Sequence, residues 1–217
     1  MGIGTAAMVY AAVTAVLFRN LLPDLSTHLF SDLGDPLLNA AILAWNARQL
    51  PLTAEWWNFP SFAPLAGVTT FTEHLLLAYP VASPIVWATG NPILAFNVVF
   101  LLSPVLNAVA ANALARELTG SPAAAFIAGL AFAFAPYQAV QLSHIQTMMA
   151  FGMPVALLGL HRYVNGGGGR ALALFAAGWF VTALSNAYML AFFPVLVVLW
   201  CVWFVRADWR RVAAIAV

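Results

Sequence analysis

Two carboxylates three positions apart, Asp32 and Asp35, stand in the stretch Phe30-Ser31-Asp32-Leu33-Gly34-Asp35-Pro36 of a chain in which only 7% of residues are charged. Where charge is this scarce, a pair of acids beside an apolar segment is a candidate for chemistry. Asp35 is the first candidate and Asp32 the second. Asp35 also precedes Pro36 and an apolar-periodic run, the pattern of an Asp N-cap with Pro at the first helical position, so a purely structural cap competes with catalysis. The two roles are compatible, because the N-terminal dipole of a helix favours an ionised carboxylate, which suits a metal ligand or an orienting base. Asp32 either shares that role or sits solvated in the loop.

Three further polar islands interrupt the apolar sequence. Thr70-Phe71-Thr72-Glu73 has the form of a capping box leading into an apolar run, which gives Glu73 a structural reading. His74 beside it needs a partner if it enters that run, and a polar active-site wall supplies one. Tyr137-Gln138-Ala139-Val140-Gln141-Leu142-Ser143-His144-Ile145-Gln146 is the second island, in which His144 and Gln146 can bind a phosphate or a sugar hydroxyl, or His144 can be a satisfied interfacial residue. The third is Ser185-Asn186-Ala187-Tyr188.

The elements that must position these residues are helices in a membrane. Of the 217 residues, 64% are hydrophobic, against about 45–50% apolar in a soluble domain. Several runs reach the roughly 17–25 residues a spanning helix needs, and the alternation of a membrane barrel is absent, so the expected fold class is all-α and polytopic. The expected organisation is a single transmembrane domain over 1–217: a first span at 5–22, an external loop with juxtamembrane helices at 23–91, further spans over 92–205, and the start of a cut-off span at 212–217, which makes the chain an N-terminal portion of a longer protein. The first span is read as retained, since no basic region precedes it and no cleavage site follows before Arg19. The loop holds five of the seven acidic residues, with Trp45, Trp56 and Trp57, which favour an interface. Within it, Pro36–Leu50 places Leu38, Ile42, Trp45 and Gln49 on one line and reads as a short interfacial helix. Leu75–Ala88, broken by Pro80 and Pro84, is too short to span and reads as re-entrant or surface-lying.

Arginines serve as topology signals, and with no lysine there is no basic tract for nucleic acid. If Leu75–Ala88 does not span and the N-terminus is cytoplasmic, spans at Asn91–Ala115, Pro122–Pro136, Thr147–His161, Arg170–Leu184 and Ala187–Val205 put Arg116, Arg162, Arg170, Arg206, Arg210 and Arg211 inside. If it does span, with the N-terminus outside, all eight arginines fall inside together with the acidic loop. Charge counting alone slightly favours the second arrangement. Ala108, Ala111, Ala115, Ala123–Ala125, Gly129 and Ala133 supply small residues for close helix packing. Gly166–Gly169 lacks the Lys-Ser/Thr of a phosphate loop and reads as a flexible turn. Cys201 has no partner and reads as a packing residue.

Ser31-Asp32-Leu33-Gly34-Asp35-Pro36-Leu37-Leu38-Asn39 with Ile42-Leu43-Ala44-Trp45, then Phe71-Thr72-Glu73-His74-Leu75, Ala131-Phe132-Ala133-Phe134-Ala135-Pro136-Tyr137 and His144-Ile145-Gln146 resemble, in that order, the N-terminal half of bacterial membrane glycosyltransferases of the GT-C superfamily. The resemblance implies a GT-C-like fold in the bacterial inner membrane, with the acidic loop and active site on the extracytoplasmic side, and it keeps Leu75–Ala88 within that loop region. It implies a polyprenyl-phosphate-linked sugar donor and a glycan or lipid acceptor. On the matching positions Asp35 is the catalytic carboxylate, Asp32 its helper, and Glu73, His74, His144, Gln146 and Tyr137 line the substrate pocket. Many members carry another acidic residue in the second external loop, and Tyr137–Gln146 has none, which leaves a divalent cation on Asp35 and Asp32 as one alternative and metal-free chemistry as the other.

The expected function is therefore sugar transfer from the lipid-phosphate donor, inverting in outcome, with Asp35 as general base. The alternatives are a transporter or flippase of lipid-linked intermediates, its pathway marked by Asn97, Asn107 and Asn112, and a non-catalytic scaffold of the same fold. Charges that sit at span ends rather than at mid-depth favour the enzyme.

Overall fold

The computed structural model describes residues 1–204 and is all-helical, with no strand among the described residues. Arg206, Arg210, Arg211 and the run 212–217 lie outside them. The first helix, α1 (Ile3–Leu17), is followed by the short α2 (Asp35–Asn46), α3 (Ala54–Trp57) and α4 (Tyr79–Thr89). Then come the long α5 (Pro92–Thr119), α6 (Pro122–Ala133), the single turns α7 (Pro136–Val140) and α8 (Ile145–Met148), and α9 (Gly152–Val164), α10 (Gly169–Ser185) and α11 (Ala187–Phe204). Three stretches are long and apolar enough to cross a membrane: α5, the α6–α7 run Pro122–Val140 and α11. The helices α1 and α10 are apolar but shorter.

The first segment differs from the expected 5–22. Its helix ends at Leu17, and the chain then turns through Phe18–Leu21 into a 3-10 turn at Leu22–Asp24. The turn is fixed by Phe18, whose buried ring packs edge-on against Phe30 and Phe100. Fifteen residues reach about 22 Å at 1.5 Å per residue, short of the ~30 Å hydrocarbon core.

Helix α5 is the spine, in contact with α1, α2, α4, α6, α8 and α9. It begins with a true cap, Asn91 accepting from Leu94 N–H at 3.0 Å, and ends on Gly120 in the left-handed conformation (φ 67). Its three asparagines are anchors. Asn97 Nδ2 donates to the carbonyls of Leu25 and His28, Asn107 donates to Met148 O and accepts from Ala150 N–H, and Asn112 donates to the Tyr10 hydroxyl. Each ties a loop or neighbouring helix to the spine where a buried amide would otherwise be costly.

Helices α9 and α10 pack through glycines. A Cβ on Gly159 would run into the backbone of Phe175, and one on Gly178 into that of Ala156. The expected run Thr147–His161 instead bends at Met149–Phe151 between α8 and α9, held by Asn107. Similarly, the run Pro122–Pro136 loses its helical ladder at Phe134–Ala135, because proline has no N–H and excludes its predecessor from the helical region; Ala135 is extended at φ −58, ψ 151.

Two local expectations in the acidic loop are corrected. The expected interfacial helix is α2, but beside Ile42 of the expected line its buried residues include Asn39 and Asn46, while Leu38 of that line is 37% exposed. It packs against α4 and α5 rather than lying flat on a surface. The capping box does not form, since Val68–Thr70 is a 3-10 turn and the next helix starts only at Tyr79. Thr70 instead bonds back to Gly67 O at 2.6 Å.

Candidate functional site

Asp35 is the first residue of α2, after Gly34, and its side chain makes no cap bond. The expected cap is thereby corrected: the Asp35 carboxylate turns across to His144 Nε2 at 2.8 Å, a partner 109 positions away in sequence. The two side chains are 50% and 38% exposed, so the pair lies at the lip of a cavity rather than in the core. His144 meets the carboxylate through Nε2, and its Nδ1 is buried with no hydrogen-bond partner.

That cavity, about 590 Å³, is lined by Asp35, Glu73, Tyr137, His144 and Gln146, five of the residues expected at the site. It is also lined by Leu38, Asn39, Thr72, Gln141, Thr147, Tyr188, Met189 and Phe192. Its floor holds two buried amides, Asn39 Nδ2 donating to Gln146 Oε1 at 3.2 Å, with Glu73 on the same cavity beside them. Gln146 is itself fixed from below, because Ser185 Oγ donates to its carbonyl and to that of Met149, each at 2.8 Å. The acidic loop and all three polar islands thus reach one place.

Glu73 is partly buried, and loss of solvent raises its pKa above the ordinary 4.5, against the opposing hydrogen bond from Gln146 and the nearby His144. The cavity therefore combines two carboxyl groups in different surroundings, one at the lip against an imidazole and one in the wall on an amide.

Asp32 and His74 do not line this cavity. Asp32 organises the loop. Its Oδ1 accepts from Gly34 N–H at 2.7 Å and its Oδ2 from Ser143 Oγ at 2.7 Å, and these bonds, led by that from Ser143, hold its carboxyl below the usual range. Ser31, in the left-handed region at φ 78, completes the triangle with Ser143 at 2.9 Å. Asp32 therefore acts one step back, pinning the turn before Asp35 to the turn before His144. His74 is structural: its Nδ1 accepts from Leu76 N–H, its carbonyl from Asn46 Nδ2, and its ring stands edge-on to Trp57. Burial pushes its pKa below 6.5.

A divalent cation on Asp35 and Asp32 does not fit this arrangement. Both Asp32 oxygens are committed to Gly34 and Ser143 and Asp35 Oδ2 to His144, which leaves Asp35 Oδ1 alone, and among the described residues no three His, Cys, Asp or Glu side chains are grouped to hold a metal ion.

Sequence reasoning missed Gln141, Thr147, Thr72, Met189 and Phe192. Gln141 lies three residues before His144 and accepts from Thr147 Oγ1 at 3.1 Å. Phe192 follows Tyr188 by four, the spacing that puts two side chains on one helical face.

No protein-family model, no curated protein and no solved structure matches the chain.

Proposed function

We propose that the protein is a membrane glycosyltransferase of GT-C type, moving a sugar from a polyprenyl-phosphate donor to a glycan or lipid acceptor on the extracytoplasmic face of a bacterial inner membrane. The observation that carries this reading is the convergence of Asp35, His144 and Glu73 with buried amides and aromatic faces in one cavity at a helix-bundle end. Ligand cavities of this kind combine apolar walls with a few fixed polar groups. Asp35 Oδ1, free of the His144 bond, takes the proton of the acceptor hydroxyl as its oxygen bonds to the anomeric carbon. The bond from that carbon to the phosphate oxygen breaks, and its electron pair leaves with the lipid phosphate. His144 holds the carboxylate in register, and a positioned base of this kind contributes about 10²–10⁴ in rate.

The transporter alternative loses its marker residues, since Asn97, Asn107 and Asn112 are all committed to structural hydrogen bonds. The side assignment rests on the family resemblance: of the five described arginines, Arg116, Arg162 and Arg170 stand at the ends of α5, α9 and α10 away from the acidic loop, while Arg19 follows α1 and Arg48 lies in the loop itself.

The test is transfer of label from a panel of radiolabelled polyprenyl-phosphate sugars in membranes expressing the protein. Transfer that disappears with Asp35→Asn is expected, and no transfer from any lipid-phosphate sugar overturns the reading. Sidedness is read separately with a membrane-impermeant thiol reagent on intact cells. Ser61→Cys should label and Gly168→Cys, placed where a side chain has open space, should not.

A further inference from the structure

The wall of the cavity around Glu73 is acidic with no permanent counter-charge. Among the described residues its lining contains two carboxyl groups and one imidazole but no arginine, and the imidazole is already engaged by Asp35 at 2.8 Å. No ion pair among the described residues involves Glu73. Its carboxyl shares the cavity wall with Gln146 and Asn39, 4% and 1% exposed and bonded to one another, so the floor beside it is fixed. A fixed, half-buried acid aimed into a cavity and lacking a cation is a site that a cationic group completes.

We infer that the sugar this cavity recognises bears a free amine, bound as the ammonium by Glu73 with its ring against Tyr137 and Tyr188. This deepens the sugar-transfer reading and rests on it. An ammonium donates a charge-assisted hydrogen bond to the carboxylate, about twice as strong as the neutral bond a sugar hydroxyl offers. It also returns the buried carboxyl to its ionised form, since an opposite charge within a few ångströms offsets the loss of solvent that raises its pKa. The donor's phosphate, by contrast, would meet Asp35 and Glu73 as a like charge. The amine-bearing ring therefore occupies the Glu73 side, and the phosphate points away from it.

The experiment is direct binding, independent of turnover, on the purified protein in nanodiscs at pH 7 with a chelator present. Methyl glucosaminide, methyl glucoside and the N-acetylated glycoside are compared by saturation-transfer NMR competition. The expected result is binding of the amine at least about tenfold tighter than either of the others, with that advantage erased by Glu73→Gln, which keeps size and the Gln146 contact. The comparison on the parent protein stands without the variant, should Glu73→Gln lose its fold. Equal affinity for the three glycosides overturns the amine assignment and leaves the sugar reading in place. Binding of none of them overturns both, and an amine preference that survives Glu73→Gln overturns the role of Glu73.

Discussion

Two acid–base pairs mark opposite ends of the same helical bundle. Glu117 and Arg162 meet at 2.6 Å where α5 and α9 end beside the glycine turn, and Asp35 and His144 meet at 2.8 Å where α2 begins and α8 starts. At the first, both the Nε and Nη2 of Arg162 donate to one oxygen of Glu117. The guanidinium cannot give up its proton, whereas an imidazole changes charge near neutral pH. The surroundings differ as much as the partners. The Asp35 pair borders a cavity with a second acid and a floor of buried amides, while Arg162 is 46% exposed beside a glycine turn. A close ion pair is therefore no sign of a site by itself. What distinguishes the cavity end is the cavity itself, with a second acid and two buried, hydrogen-bonded amides beside the pair.

The strongest way to break this contrast is to neutralise one acid at each end. Asp35→Asn can still accept the His144 bond but cannot take a proton. It is expected to stay folded and to lose roughly 10²–10⁴-fold in sugar transfer at matched expression. Glu117→Gln should leave transfer near the parent's. A fully active Asp35→Asn enzyme would remove the mechanism, and an inactive Asp32→Asn with an active Asp35→Asn would move the base three residues upstream.

Next in size is the seam that joins the two ends. Gly159 and Gly178 sit where α9 and α10 touch backbone to backbone, so Gly178→Leu must push the helices apart. The expected loss is about 1–3 kcal/mol of stability, read as a lower melting temperature in detergent. The same change at Gly168, which faces open space, should be silent. Equal effects at both positions would mean that the seam is not the close contact described.

A smaller effect separates the two acids of the cavity. Glu73 is protonated more readily folded than unfolded, because its folded pKa lies above 4.5. The folded state then binds more protons between 4.5 and that raised value, and stability falls as pH rises through this window. Glu73→Gln removes this slope. His74, lowered by burial, works in the opposite sense, losing stability as pH falls below 6.5, so the slope is best read as the difference between parent and variant.

Much of this arrangement is legible in the sequence. Apolar run lengths located α5, α6, α10 and α11 to within a few residues, because a helix that must be apolar throughout announces itself by composition. The three polar islands were visible for the converse reason: a polar residue in such a chain has to be bonded or used. What could not be read was long-range pairing. Asp35 looked like a cap because Asp-Pro is a local signal, while His144 is reached only through the fold. Asn39 and Asn46 lie off the line of Leu38, Ile42, Trp45 and Gln49 from which an interfacial helix is read. They are buried because Gln146 and the His74 carbonyl take their amides. Thr70–Glu73 matched the letters of a capping box, but Gly67 at φ 70 turns the chain one step earlier and Thr70 bonds there.

The smallest expected effect is the coupling across the Glu117–Arg162 pair, and it sharpens the comparison from the quiet side. Both partners are partly solvent-exposed, at 32% and 46%, so the charge attraction is screened and the two long side chains lose rotamer freedom on pairing. A double-mutant cycle of Glu117→Ala and Arg162→Ala, followed by thermal or denaturant unfolding in detergent, should give a coupling of only about 0.2–1 kcal/mol, shrinking as salt rises. Sugar transfer should not follow it. On the proposed mechanism, in which His144 places Asp35 as a base, the same cycle on Asp35 and His144 should show the reverse pattern, little coupling in stability and a large one in transfer. A Glu117–Arg162 coupling of several kcal/mol, insensitive to salt, would show that this pair is not screened by solvent despite its exposure and would overturn its description as a weak surface pair.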